Sequence, residues 1–132
     1  ERSTRVPLII RTPGQTEAAE CSHPVELLSI FPTLVELCGL PKRKGLEGAS
    51  LVPLLIDADA PWERPAITTY HRNNHAVRSQ HWRYIRYADG SEELYDHRKD
   101  STEWNNLAGD SKYDEVIAQH AKWLPKKNVP QE

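Results

Sequence analysis

The sequence contains no methionine, and this absence bears on where the chain begins. Because Glu1 cannot be a translation start, we expect the chain to be a processed product or a piece of a longer protein. Its 132 residues are about the size of one ordinary domain, so a single hydrophobic core is expected.

Cysteine is also scarce, since only Cys21 and Cys38 are present. Two cysteines are too few for a disulfide framework, and these two are too far apart for a C-x-x-C metal or redox pair. We interpret them as two buried free thiols, because free cysteine is among the most buried residue types.

Neither sign of charge dominates, and no long apolar run occurs. The 17 basic and 19 acidic residues give a net charge of −2, which excludes a generally cationic nucleic-acid-coating protein and an acidic disordered tail. A membrane span needs about 20 consecutive apolar residues, and no stretch approaches that length. The N-terminus has no basic segment followed by an apolar one. We therefore expect neither nucleic acid nor membrane as a partner.

The N-terminal part of the chain combines one apolar run with helical spacing. Residues 5–11 read as a strand that is covered on both faces, closed by Thr12-Pro13-Gly14, and its partner strands are expected before Glu1. Residues 24–38 have the spacing of a helix in which Pro32 marks a kink or an irregular first turn. A short helix at 51–56 precedes the proline-containing stretch 58–65, which we interpret as a linker.

Beyond residue 65 the apolar period changes to two. Residues 66–70, 76–79, 82–87 and 92–96 are rich in β-branched and aromatic side chains, and Asp89-Gly90 is a strong signal for a tight hairpin turn. A last helix over residues 111–123 has an apolar stripe. These segments predict an α+β fold in which a small four-stranded antiparallel sheet is packed by a C-terminal helix.

The densest chemical feature is the stretch 71–87, which holds four arginines, three histidines and no acid. In the residues that follow it, 88–103, acidic side chains outnumber basic ones by four, which equals the number of arginines in the stretch. One interpretation is a set of cross-strand ion pairs on a solvated sheet. The alternative is a noncatalytic module that binds an anionic polymer through four arginines, namely Arg72, Arg78, Arg83 and Arg86.

No self-sufficient active site is visible in the sequence. His71 and His75 are four residues apart but lie in a predicted strand or loop, and neither H-E-x-x-H nor a cysteine pair completes a zinc site. No G-x-S-x-G elbow or phosphate-cradling glycine loop occurs. We therefore assign no catalytic residue and no metal ligand to this chain.

Several segments, in order, resemble the type I sulfatases of the alkaline-phosphatase-like superfamily. RVPLIIRTPG at 5–14, VELLSIFPTLVELCGLP at 25–41 and GLEGASLVPLL at 45–55 are similar to the C-terminal part of that family. HAVR at 75–78, WRYIRY at 82–87, ELYD at 93–96 and WNNLA at 104–108 resemble its iduronate-2-sulfatase-like branch. The resemblance covers nearly the whole chain.

This resemblance implies a fold, a chemistry and a division of the chain. It implies hydrolysis of sulfate esters of sugars by a formylglycine nucleophile beside a calcium ion. The nucleophile and the calcium ligands would lie in sequence that precedes the first strand. The resemblance also implies an extracytoplasmic location. Residues 1–57 would be the tail of the α/β core, 58–65 a linker and 66–132 the C-terminal antiparallel subdomain. The rest of the sulfatase core and a sulfated sugar are then the expected partners.

Two short segments come near to the nucleophile motif C/S-x-P-x-R that this resemblance requires. Ser22-His23-Pro24-Val25-Glu26 carries glutamate where the motif needs arginine, and after Cys38 the proline comes one position late. We interpret neither as a nucleophile.

The loop between the first two strands is the candidate for substrate contact. Loops between rigid strands are where binding groups usually lie. Arg72 and His75 could pair with a sulfate or a uronate carboxylate, while Asn73 and Asn74 offer donors and acceptors to sugar hydroxyls. We predict that these four residues face the substrate cleft; an ordinary hydrated hairpin loop is the alternative.

Overall fold

A computed structural model describes residues 4–129, and its centre is a four-stranded antiparallel sheet. The strands are β1 (Ala66–Thr69), β2 (His75–Arg78), β3 (Trp82–Arg86) and β4 (Glu92–Asp96), each paired with the next along the chain. The four predicted strands are confirmed to within one residue at each end. The Asp-Gly turn joins β3 to β4, and Gly90 there has a φ of 86°, which glycine adopts without strain.

One face of the sheet carries the main core. Val77, Tyr84 and Leu94 lie side by side in the register of β2, β3 and β4, and all three are fully buried. Helix α3 (Asp114–Ala121), preceded by a 3-10 turn (Ser111–Tyr113), covers this face, as the apolar stripe predicts. The partly buried residues packed against this core are Trp82, Leu107, Ala108, Tyr113, Val116, Ile117, Ala121 and Leu124.

The N-terminal half contains two short helices linked by a threonine. A 3-10 turn (Leu27–Ser29) leads into α1 (Ile30–Leu37), and α2 (Val52–Ile56) follows. The Thr33 hydroxyl donates to the Ser29 carbonyl at 2.5 Å and accepts from the Leu51 N–H at 2.8 Å. Pro32 lies in the first turn of α1, where backbone N–H groups have no partner within the helix, so it interrupts no hydrogen bond.

Glu26 connects this half to the sheet. Its carboxylate pairs with Arg64 at 3.1 Å and accepts from the Ile67 N–H, at the start of β1, at 3.2 Å. The division at residues 58–65 into two parts remains a prediction.

Two predictions about the N-terminal half differ from the structure. Residues 5–11 form no strand, because no strand among the described residues runs alongside them to complete a ladder, and Ile9 is 92% exposed. Cys21 and Cys38 are free, as expected, but both are exposed rather than buried. The prediction of buried thiols is wrong because Cys38 follows the end of α1, on a surface that the described residues leave open.

The 3-10 turn and helix α1 bury two small polar side chains and Val35 but expose most of their large apolar side chains. Ser29 and Thr33 are each 1% exposed. Six large apolar residues in and around the helix are at least 41% exposed: Leu27, Leu28, Phe31, Leu34, Leu37 and Leu40. An apolar strip of this extent is typical of a surface that another part of a protein covers. No helix within residues 4–129 is long and apolar enough to cross a bilayer.

His120 fastens α3 to the turn between β2 and β3. Its Nδ1 lies 2.7 Å from the Val116 carbonyl oxygen and its Nε2 lies 2.9 Å from the Ser79 hydroxyl. The residue is 7% exposed. Burial lowers the pKa of His120 below the ordinary 6.5 for histidine, although the hydrogen bond to Val116 partly opposes this.

The lowered pKa of His120 predicts a loss of stability in acid. The unfolded chain takes up this proton as the pH falls through 6.5, whereas the folded chain takes it up only at lower pH. The free energy of unfolding should therefore fall as the pH drops below 6.5. Urea unfolding from pH 7 to pH 5 should show a shallower decline for His120→Gln than for the native chain. His81→Gln, at an exposed histidine, is the matched control; an identical decline in all three proteins would contradict the prediction.

Candidate substrate-binding loop

The loop between β1 and β2 has a fixed and unusual backbone. The Tyr70 N–H donates to the Asn74 carbonyl at 3.0 Å and closes the loop. His71 and Asn73 have φ values of 54° and 64°, in the left-handed region that few non-glycine residues occupy. Strained backbone of this kind clusters at ligand-binding sites, where the surrounding structure holds it in place.

His75 does not point into solvent from this loop. It is 5% exposed, and its Nδ1 lies 2.9 Å from the Thr69 hydroxyl while its Nε2 lies 2.8 Å from Oδ1 of Asn128. Both ring nitrogens are therefore engaged within the chain. In this arrangement His75 joins β2 to β1 and to the C-terminal segment, and it can position the loop.

Asn74 connects the loop to the hairpin turn between β3 and β4. Its amide nitrogen donates to the Arg72 carbonyl at 3.0 Å, and its Oδ1 accepts from the Ala88 N–H at 3.1 Å. Both ends of the amide are thus bonded to backbone. The two connections lie at the same end of the sheet, and Asn74 fixes their separation.

The side chains that this loop presents to solvent are Tyr70, His71, Arg72 and Asn73. Tyr70 is 72% exposed, and its ring meets the His71 ring edge to face with the ring centroids 4.1 Å apart. An open cavity of about 350 Å³ lies beside Asn74, and its other lining residues are Tyr87, Ala88, Asp89 and Ser91. The loop is predictable from the sequence, but Tyr70 is not singled out there, because the period of the strand does not indicate its exposure.

Most of the arginines in the basic stretch are held by partners in β4 and in the segment that follows it. Glu103 pairs with Arg83 at 2.6 Å and with His97 at 2.8 Å, and the other nitrogen of His97 lies 3.0 Å from Arg78. These side chains lie on the face of the sheet opposite α3.

Arg86 completes this pattern at the register position facing Glu92. It pairs with that carboxylate at 2.8 Å and also donates to the Tyr84 hydroxyl at 2.9 Å. Arg86–Glu92 is therefore a cross-strand ion pair of the expected kind, whereas Arg83 and Arg78 are held by residues that follow β4. A polymer-binding surface built from Arg72, Arg78, Arg83 and Arg86 is not favoured, because only Arg72 of the four is exposed and outside these pairs.

The described part of the chain does not fit the metal that the resemblance implies. Among residues 4–129, no group of three or more histidine, cysteine, aspartate or glutamate side chains is arranged to hold an ion. Ser22 and Cys38, at the two near matches to the nucleophile motif, lie on the surface. We derive no chemical step from a metal or a formylglycine within this chain.

Comparison with known proteins identifies the family. A model of the family described as "N-sulphoglucosamine sulphohydrolase, C-terminal" matches residues 1–129. The chain belongs to this sulfatase C-terminal family. The expected resemblance to the C-terminal part of the sulfatases is therefore confirmed at the level of the family.

Individual relatives agree with this assignment. The chain is 41% identical to a sulfatase of Formosa agariphila over 129 residues, which are 98% of this chain and 25% of that protein. It is 38% identical to arylsulfatase K of Danio rerio, over 82% of this chain and 23% of that protein. A solved structure of a protein described as a 2-O GAG sulfatase also matches. The match covers 71% of this chain and 22% of the chain in that structure, with 30% sequence identity and a TM-score of 0.60.

The chain thus spans about a quarter of the length of the curated relatives that it matches. The fold prediction, a small antiparallel sheet with a packing helix as in the C-terminal part of sulfatases, is confirmed.

Proposed function

We propose that the whole protein that contains this sulfatase C-terminal domain hydrolyses sulfate esters of sugars. The match of residues 1–129 to the family, together with 41% identity to a sulfatase, carries the proposal. The substrate class we infer is a sulfated glycan that contains a uronic acid, as on the iduronate-2-sulfatase-like branch. Two observations support it: the four segments that resemble this branch, and the likeness to a 2-O GAG sulfatase.

In this proposal the rest of the sulfatase core is the partner of helix α1. The strip of exposed leucines and Phe31 would pack against that core, and residues 5–11 would complete their ladder there. The nucleophile, as formylglycine, and the calcium would be held by the rest of the protein, because residues 4–129 offer no ion-binding group. An extracytoplasmic location is part of the same proposal.

The β1–β2 loop is the part of this chain that we propose faces the substrate. Arg72 and Asn73 are the exposed members of the four candidates, and a guanidinium pairs well with a sulfate or a carboxylate. Asn74 and His75 support them by holding the strained backbone in place. A loop fixed in this way loses little conformational entropy when it binds a sugar.

Replacing Arg72 tests the role of this loop in substrate binding. In the whole protein, Arg72→Ala should raise KM for a 2-O-sulfated uronate disaccharide by about 10- to 100-fold, because a charge-assisted hydrogen bond contributes about 1.5–3 kcal/mol and each 1.4 kcal/mol is a factor of about ten. KM for a minimal aryl sulfate should change less than twofold, since that substrate has no second anionic group. Arg43→Ala, at an exposed cation in the loop before α2, is the matched control. Equal KM values for the native protein and the Arg72 variant would contradict the role of the loop.

A further inference from the structure

Tyr70 is an exposed aromatic residue that no described part of the chain covers. Its side chain is 72% exposed although it directly follows β1, and its backbone N–H is engaged in closing the loop. Aromatic rings offer a large contact area at a small cost in side-chain entropy, since only two side-chain torsions are fixed. Tyr70 therefore presents such an area on an ordered backbone.

The loop around Tyr70 is held in place while most of the residue stays exposed. The Tyr70 and His71 rings meet edge to face, with their centroids 4.1 Å apart and their planes 70° apart, so His71 contacts at most one of the two faces of the Tyr70 ring. The left-handed backbone at His71 and Asn73 is held by Asn74, which is bonded to the hairpin turn. The backbone that carries the ring is thus held by contacts within the chain.

Arg72 lies two residues further along the same loop, and its side chain is also exposed. An aromatic face and a guanidinium on the same loop match a pyranose ring that carries an acidic group, the substrate class of the proposed function. The C–H groups on one face of a pyranose are slightly positive and pack on the negative face of an aromatic ring. The acidic group accepts from the guanidinium.

We propose that Tyr70 is a specificity-determining residue that stacks on the sugar ring whose anionic group Arg72 binds. This inference rests on the proposed function, because it needs the β1–β2 loop to face the substrate. It assigns to Tyr70 the selection of a pyranose over other sulfate esters, and it leaves the position of the reacting sulfate to the rest of the protein.

The test uses the whole protein and three variants of exposed aromatic positions. Tyr70→Ala should raise KM for a 2-O-sulfated uronate disaccharide by about 3- to 10-fold and leave kcat within twofold, as expected for the loss of one stacking contact. Tyr70→Phe keeps the ring face and should stay within twofold of the native KM. Trp104→Ala is the matched control, because Trp104 is 84% exposed on the loop after β4.

The other possible outcomes show which of the two proposals is wrong. If Arg72→Ala raises KM and Tyr70→Ala does not, the stacking role is wrong and the proposed function stands. If Tyr70→Phe raises KM as much as Tyr70→Ala, the hydroxyl and not the ring face is responsible, which overturns stacking. A fall in the melting temperature of Tyr70→Ala with an unchanged KM would mean that the rest of the protein covers Tyr70, which also overturns it. If neither Arg72→Ala nor Tyr70→Ala changes KM, the β1–β2 loop does not contact the substrate, and the stacking role and the role of Arg72 both fail. If the native protein does not hydrolyse the disaccharide, the proposed function itself is wrong.

Discussion

Replacing Tyr84 with alanine is expected to lower the free energy of unfolding by about 4 kcal/mol, the typical cost of truncating a buried aromatic residue. Tyr84 is fully buried on β3, between Val77 on β2 and Leu94 on β4. The truncation would leave a cavity at the centre of the core. Urea unfolding followed by circular dichroism measures the difference directly.

The Tyr84 hydroxyl makes its own, smaller contribution. It donates to Glu92 at 2.5 Å and accepts from Arg86 at 2.9 Å, and burial together with the bond to Glu92 raises its pKa to about 12. Tyr84→Phe keeps the ring and should cost about 1–2 kcal/mol at neutral pH. Because the folded pKa lies above the unfolded one, this stabilisation is complete below pH 10 and is lost as the pH rises towards 12.

These two variants together distinguish packing from hydrogen bonding. If Tyr84→Phe were as destabilising as Tyr84→Ala, the hydroxyl network would dominate, and the account of the core given above would be wrong.

The sheet could be predicted from the sequence because its signals are local. The period of two over residues 66–96 decides which side chains face α3, and Asp89-Gly90 supplies the backbone that a tight hairpin needs. Helix α3 follows for the same reason, since its apolar stripe has a sheet face to cover. The strands and α3 all find their packing partners within this chain.

The environment of α1 could not be predicted in this way. Its spacing indicates a helix correctly, but periodicity does not say which surface will cover the apolar side. In the structure Thr33 is buried, because its hydroxyl links two backbone segments, while Leu34 beside it is 52% exposed. The same reasoning applies to Cys38, whose type favours burial but whose position at the end of α1 leaves it exposed.

For the candidate loop, the sequence predicts the position of the loop but not the role of each residue in it. The chain position of residues 72–75 was sufficient to single out the loop between β1 and β2. The separate roles within it depend on contacts distant in sequence, since His75 meets Asn128 and Asn74 meets Ala88. No pattern in the sequence links these pairs, and only the fold brings them together.

Glu103 is the residue whose loss should most disturb the opposite face of the sheet. Its carboxylate lies between Arg83 at 2.6 Å and His97 at 2.8 Å, and the side chains of all three are less than a fifth exposed. Burial alone would raise the pKa of Glu103, but the hydrogen bonds from Arg83 and His97 outweigh it and lower that pKa.

Glu103→Ala is expected to lower the free energy of unfolding by about 3 kcal/mol at pH 7, because it leaves the charge of Arg83 buried without its partner. Since the folded pKa of Glu103 is lowered, its contribution is present above the ordinary value of 4.5 and is lost as the pH falls through the folded pKa. The difference between the native chain and the variant should therefore shrink in acid. Glu103→Gln should lie between the two, and Glu115→Ala, at an exposed glutamate of α3, should change stability by less than about 0.5 kcal/mol. A difference that stays constant from pH 7 to pH 3 would show that the variant acts through the strained backbone at Glu103, where φ is 61°, and not through the ion pair.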